Sequence, residues 1–161
     1  MGVSGSGKST IAEALAGSLG WALAEGDDFH SPANIAKMHS GTPLIDSDRM
    51  PWLRSIAAWI DARRQAGQSG IVTCSALKHS YRDLLSAGRP EVLFVYLKGT
   101  VAVMSQHLAG RQGHFMPASL LSSQFETLEE PGKDEPVLAV DAARPVAAIV
   151  SEIERRLKTL A

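Results

Sequence analysis

The chain has 161 residues and a mass of 17.2 kDa, with 45% hydrophobic and 20% charged side chains, which fits one compact globular domain. Sixteen Lys and Arg against seventeen Asp and Glu give a formal charge of −1, arguing against a broad basic surface for nucleic acid but allowing a small positive pocket for an anionic metabolite. The single Cys74 rules out an intrachain disulfide framework, and no apolar run approaches the roughly 20 residues of a membrane helix, so a soluble cytoplasmic domain is expected.

In chain order, Ile11, Leu15 and Leu19, with Ala12 and Ala16, make one stripe of a helix that starts near Lys8. A short β-type run follows at 21–24. Asp48 and Pro51 then mark a helix start, with Trp52, Ile56, Trp59 and Ile60 on its buried face. A strand is expected at 71–74, a short helix around Tyr81, Leu84 and Leu85 stopped by Gly88 and Pro90, and further strands at 92–97 and 137–140. Pro145 opens the last helix, where Val146, Ile149, Val150, Ile153, Leu157 and Leu160 recur at helical spacing. The last three strands are apolar without alternation, as in a parallel sheet buried on both faces. Strands alternating with helices predict a single α/β domain over 1–161. Two stretches, 26–47 and 111–136, fit no regular pattern and are where chemistry is expected.

Gly2-Val3-Ser4-Gly5-Ser6-Gly7-Lys8-Ser9 matches the P-loop pattern. Glycines let successive N–H groups turn toward phosphate oxygens, and the following helix points its positive dipole end at the same anion. Lys8 reaches the β- and γ-phosphates, and the Ser9 hydroxyl is a Mg²⁺ ligand. The candidate ATP-binding residues are therefore Gly2, Val3, Ser4, Gly5, Ser6, Gly7, Lys8, Ser9 and Thr10. A P-loop normally links a buried strand to a helix, yet only Met1 precedes Gly2 here. That strand would be central, so its absence predicts a gap of roughly 9–10 Å across the sheet. A reading frame beginning upstream, with an apolar strand of about 5–6 residues, is expected. The alternative is a sheet that closes up or borrows a strand from another chain.

Beyond the P-loop, the chain resembles the gluconokinase family of P-loop kinases. The resemblance rests on Gly26-Asp27-Asp28-Phe29-His30, Asn34-Ile35-Ala36-Lys37-Met38, Gly41-Thr42-Pro43-Leu44 and Asp48-Arg49-Met50-Pro51-Trp52-Leu53. It continues through Cys74-Ser75-Ala76-Leu77-Lys78, Tyr81-Arg82-Asp83, Tyr96-Leu97-Lys98-Gly99, Gly113-His114-Phe115-Met116 and Gln124-Phe125-Glu126-Thr127-Leu128-Glu129. It implies transfer of the ATP γ-phosphoryl to the 6-hydroxyl of D-gluconate. It also implies a nucleoside-monophosphate-kinase-like fold close to shikimate kinase, a lid at about 111–136, and a homodimer.

Asp27, just past the second strand position, is expected to accept the acceptor hydroxyl's proton or hold Mg²⁺ through water. Asp28 competes for that role, and both acids have the alternative of capping the next helix. Arg49, Lys78 and Arg82 fall in the family segments and suit the carboxylate of a sugar acid, Arg through its planar fork. The ordinary alternative for each is a solvated surface charge. His30 suits a substrate hydroxyl or a local turn contact. Arg111 is expected to close over the transferring phosphoryl, with Leu120, Leu121, Phe125 and Leu128 forming a helical apolar face that docks when the lid shuts. Residues 141–145 should line the adenine pocket. The histidines lack paired metal-ligand spacing, so Mg²⁺ delivered with ATP is the only metal expected. Cys74, Trp52 and Trp59 read as core residues, Trp52 with the further option of a pocket wall.

The alternatives are a shikimate-type or other small-acid kinase on the same fold, a P-loop switch or motor, and a non-catalytic nucleotide-binding module. Against the switch or motor stand the lack of a guanine-type N-K-x-D motif and of a strand ending in paired acids. Intact Lys8, Ser9 and Asp27 weigh against the non-catalytic module.

Overall fold

The computed structural model describes residues 1–110 and 118–160. Helix α1 (Lys8–Leu19) leads to β1 (Ala22–Ala24), a 3₁₀ turn at Gly26–Phe29, α2 (Pro32–His39) and the long α3 (Asp46–Gln65). Then come β2 (Gly70–Val72), α4 (His79–Ser86), β3 (Phe94–Lys98), α5 (Val101–Ala109), α6 (Ala118–Thr127), β4 (Val137–Asp141) and α7 (Val146–Leu160). All four expected strands are present, and every described pairing between them is parallel.

Those strands form two separate pairs. Leu23 of β1 sits opposite Ile71 of β2, and Tyr96 of β3 opposite Ala139 of β4. No ladder joins β2 to β3 among the described residues, so the sheet is open at its centre and has not closed up. Helices cover both faces. Ile11 and Leu15 of α1 and Ile149 and Ile153 of α7 pack with Leu97 and Val140 on one side. Leu53 and Ile56 of α3 and Tyr81 and Leu85 of α4 pack with Phe94 on the other. Val146 and Leu160, at the ends of the α7 stripe, are exposed instead.

Two helices lie where no helical pattern was expected. Ser31 caps α2, its hydroxyl accepting from the Asn34 N–H at 3.2 Å with Pro32 at the first helical position. Thr100 caps α5 in the same manner through Val103 N–H. Helix α6 lies within the stretch read as a lid, where a helical apolar face was expected. Helix α3 begins at Asp46, two residues before the Asp48 signal, because the Asp48 carboxylate reaches back to the Ile45 N–H at 3.1 Å.

Candidate active site

The P-loop connects the open sheet centre to α1. Gly5 has a left-handed backbone (φ 80°), and a Cβ there would lie 2.7 Å from the Met104 carbonyl oxygen of α5. Only glycine fits so close an approach. No acidic residue stands in the first turn of α1, so its dipole is left to an anion. Lys8 curls back over the loop, its Nζ donating to the Gly2 and Val3 carbonyls at 3.0 Å each. Val3 and Ser6 are buried, Ser9 lies half-buried on the first turn, and Thr10 is exposed. From above, α6 places Gln124 Oε1 2.7 Å from the Ser4 N–H. Leu121, Phe125 and Leu128 dock on the core beneath it as the lid reading expected, whereas Leu120 is not part of that cluster. Arg111 lies outside the described residues, as do the residues 113–116 of the family pattern.

A side chain that the sequence reading missed stands next to Ser9. Glu25 Oε2 accepts from the Ser9 hydroxyl at 3.1 Å and from the Thr73 hydroxyl at 2.7 Å. Thr73 Oγ1 in turn accepts from the Gly26 N–H at 3.0 Å. The other carboxylate oxygen of Glu25, Oε1, is buried and has no hydrogen-bond partner among the described residues. A buried carboxylate oxygen without a donor is costly, and a hard oxygen-seeking cation would relieve it. This hydroxyl–carboxylate pair therefore fits Mg²⁺. The position alone gave the signal: an acid at the carboxyl end of β1, as Asp27 is, and two residues before it.

Asp27 and Asp28 sit exposed in the 3₁₀ turn. Neither caps α2, since Ser31 does so. His30 stacks on Trp52 with ring centres 4.3 Å apart, and its pKa is pushed down chiefly by burial, against the opposing pull of Asp27. Trp52 is anchored by its indole N–H to the Gly26 carbonyl at 2.6 Å, so it is both a core residue and the wall behind His30. Gly26 has no room for a side chain: a Cβ would meet the Thr73 carbonyl oxygen at 1.9 Å. These contacts fix the turn that carries Asp27 against the end of β2.

Arg49 and Lys78 come together. Both line a cavity of about 590 Å³ between the start of α3, the start of α4 and the end of α6. Their cationic groups lie 5.8 Å and 5.6 Å from the centre of the Tyr81 ring. Asp46, another residue the sequence reading passed over, pairs with Lys78 at 2.9 Å and accepts from the Tyr81 hydroxyl. Those two donors hold its carboxyl below the ordinary range. The cavity thus presents two cations and one carboxylate, a set suited to a small polyhydroxy acid.

Arg82 does not join them. It is 1% exposed; its guanidinium is paired with Glu135, one N–O distance being 3.0 Å, and donates to the Ala76 and Leu77 carbonyls. The expected substrate contact is therefore corrected: a short helix buried on one face turned this Arg inward, where Glu135 was available. Ala76 takes a left-handed conformation (φ 46°), and Arg82 holds that bend in place just before Lys78. Cys74 is buried, and burial pushes its thiol up to about 11, in keeping with a core residue.

The fold and the loop define a class first. The APS kinase of Mycobacterium tuberculosis, solved with AMPPNP and APS, superposes with a TM-score of 0.68 at 18% identity over 98% of this chain and 94% of that one. That likeness establishes the P-loop kinase fold alone. No protein-family model matches the chain. A gluconokinase of Gluconobacter oxydans is 46% identical over 158 residues, covering 98% of this chain and 89% of that protein. The crystal structure of a gluconokinase from Sinorhizobium meliloti matches with a TM-score of 0.91 and 48% identity, over 100% of this chain and 90% of that one. The chain belongs to the gluconokinase family.

Proposed function

We propose that the chain transfers the γ-phosphoryl group of ATP to the 6-hydroxyl of D-gluconate, forming 6-phosphogluconate. The observation that carries this reading is a phosphate-binding loop beside a cation-lined cavity, in a chain of this family. The loop and α1 hold the triphosphate through backbone N–H groups, and Lys8 moves from the loop carbonyls to the phosphate oxygens. Ser9 and Glu25 would hold Mg²⁺, which when bound neutralises charge on the phosphates. This assigns the metal to Glu25 in preference to Asp27.

Asp27 then accepts the proton of the 6-hydroxyl as its oxygen bonds to phosphorus, and ADP leaves with the former bridging oxygen. His30, whose pKa burial pushes down, orients a substrate hydroxyl. Arg49 and Lys78 bind the gluconate carboxylate, and Asp46 accepts from its hydroxyls. Arg82 acts through the Ala76–Lys78 bend and is a positioning residue. Arg111 closing over the phosphoryl, a cytoplasmic location and a homodimer complete the proposal. Among the described residues, no helix is long and apolar enough to cross a membrane. ADP release in the presence of Mg²⁺-ATP and a panel of acids tests the reading. Gluconate should give the highest turnover; faster turnover with shikimate would overturn it.

A further inference from the structure

Helix α6 touches both halves of the site. Ser123 and Thr127, one turn apart, line the cavity that holds Arg49 and Lys78. Gln124, next to Ser123, reaches the phosphate loop instead, its Oε1 accepting from the Ser4 N–H at 2.7 Å. The chain just past the helix is tied to the bend that carries Lys78. There the Glu129 N–H donates to the Leu77 carbonyl at 2.8 Å, and the Glu129 carboxylate accepts from the His79 N–H at 2.7 Å.

The Ser4 N–H belongs to the same peptide unit as the Val3 carbonyl, and in a trans peptide the two point opposite ways. That carbonyl accepts from Lys8 Nζ at 3.0 Å. One peptide of the loop is therefore held by α6 on one side and by the phosphate-binding lysine on the other. Hydrogen bonds in such a chain polarise one another, so a shift of Gln124 is felt at Lys8. The neutral amide oxygen of Gln124 also meets the N–H without bringing a negative charge to a loop that binds phosphates. Helix α5 grips the loop as well, the His107 imidazole donating to the Gly5 carbonyl at 2.8 Å, but no residue of α5 lines the cavity.

We propose that Gln124 is a positioning residue that couples the binding of the sugar acid to the binding of the nucleotide. An acid seated against Lys78, Ser123 and Thr127 fixes α6, and Gln124 passes that placement through the Val3–Ser4 peptide to Lys8. This rests on the reading of the cavity as the seat of gluconate. Each ligand then tightens the other by the same factor. His107 holds the loop without sensing the acid.

Titration calorimetry with Mg²⁺-AMPPNP, without and with saturating gluconate, tests this on the wild-type chain, Gln124→Met and His107→Leu. Methionine keeps the length and helix propensity of glutamine but replaces its amide oxygen with a weak acceptor. The wild type should bind AMPPNP about tenfold more tightly when gluconate is present. In Gln124→Met that factor should fall below about two, while gluconate alone binds within about twofold of wild type. His107→Leu should weaken AMPPNP equally with and without the acid and so keep the factor. A factor retained in Gln124→Met overturns the proposal, and so does one lost to the same extent in His107→Leu. Binding of both ligands to the wild type with no mutual effect overturns it too. Failure of gluconate to bind the wild type at all would instead overturn the assignment of the cavity, and this inference with it.

Discussion

Arg82→Ala separates a residue that holds the site from one that touches the substrate. The substitution leaves Glu135, whose side chain is 8% exposed, as a buried carboxylate without its partner. Breaking a buried pair from one side costs about 3–5 kcal/mol. At about 2–4 °C per kcal/mol for a chain of this size, Tm should fall by roughly 6–20 °C at pH 7. The pH dependence gives a second reading. The Arg82 guanidinium holds the Glu135 carboxyl down to about 2, against an ordinary value of 4.5. A lowered carboxylate pKa stabilises the fold fully above pH 4.5, and that contribution is lost as the pH falls toward 2. The 2.5-unit difference corresponds to about 3 kcal/mol. In Arg82→Ala this acid-labile increment should shrink, since only the Gly132 N–H and His79 would still favour the carboxylate. Circular dichroism melts from pH 2 to 7 measure both effects, and KM values taken well below Tm report on substrate contact. An unchanged Tm combined with a KM for gluconate raised at least tenfold would refute the assignment and return Arg82 to the substrate.

The other residues divide by what their loss should change. Asp27→Asn should lower kcat by about 10²–10⁴-fold with little change in gluconate KM, while Asp28→Asn stays near wild type; steady-state kinetics on the pair decide it. Glu25→Gln should raise the Mg²⁺ concentration for half-maximal rate by about tenfold and weaken Mn²⁺-ADP binding, measured by titration calorimetry, to a similar degree. Arg49→Ala should raise KM for gluconate by about 10–100-fold and leave KM for ATP unchanged, in initial-rate measurements with each substrate varied.

The phosphate-binding half of the site was legible because its signals are local. Gly5, Gly7 and Lys8 work through backbone conformation and helix position, which a contiguous motif records. The four strands were legible as apolar runs, and so were the α1, α3 and α7 stripes. Helices α2 and α5 were missed, although Ser31-Pro32 and Thr100 are readable caps, because at eight and nine residues each is too short for a helical repeat to stand out. The substrate side depended on tertiary pairing. Nothing near Arg82 in sequence announces Glu135, 53 residues away, and nothing near Lys78 announces Asp46, 32 residues away. Glu25 was overlooked for a similar reason: its hydroxyl donors come from Ser9 and Thr73, on two separate segments.

The central claim is a reaction, and phosphorus NMR of the product tests it most directly. With Mg²⁺-ATP and gluconate, the account predicts stoichiometric loss of the γ-phosphate signal. A phosphomonoester resonance should appear, split by the two methylene protons of the terminal carbon. Inorganic phosphate as the sole new signal, or an ester on a carbon bearing a single proton, would contradict it.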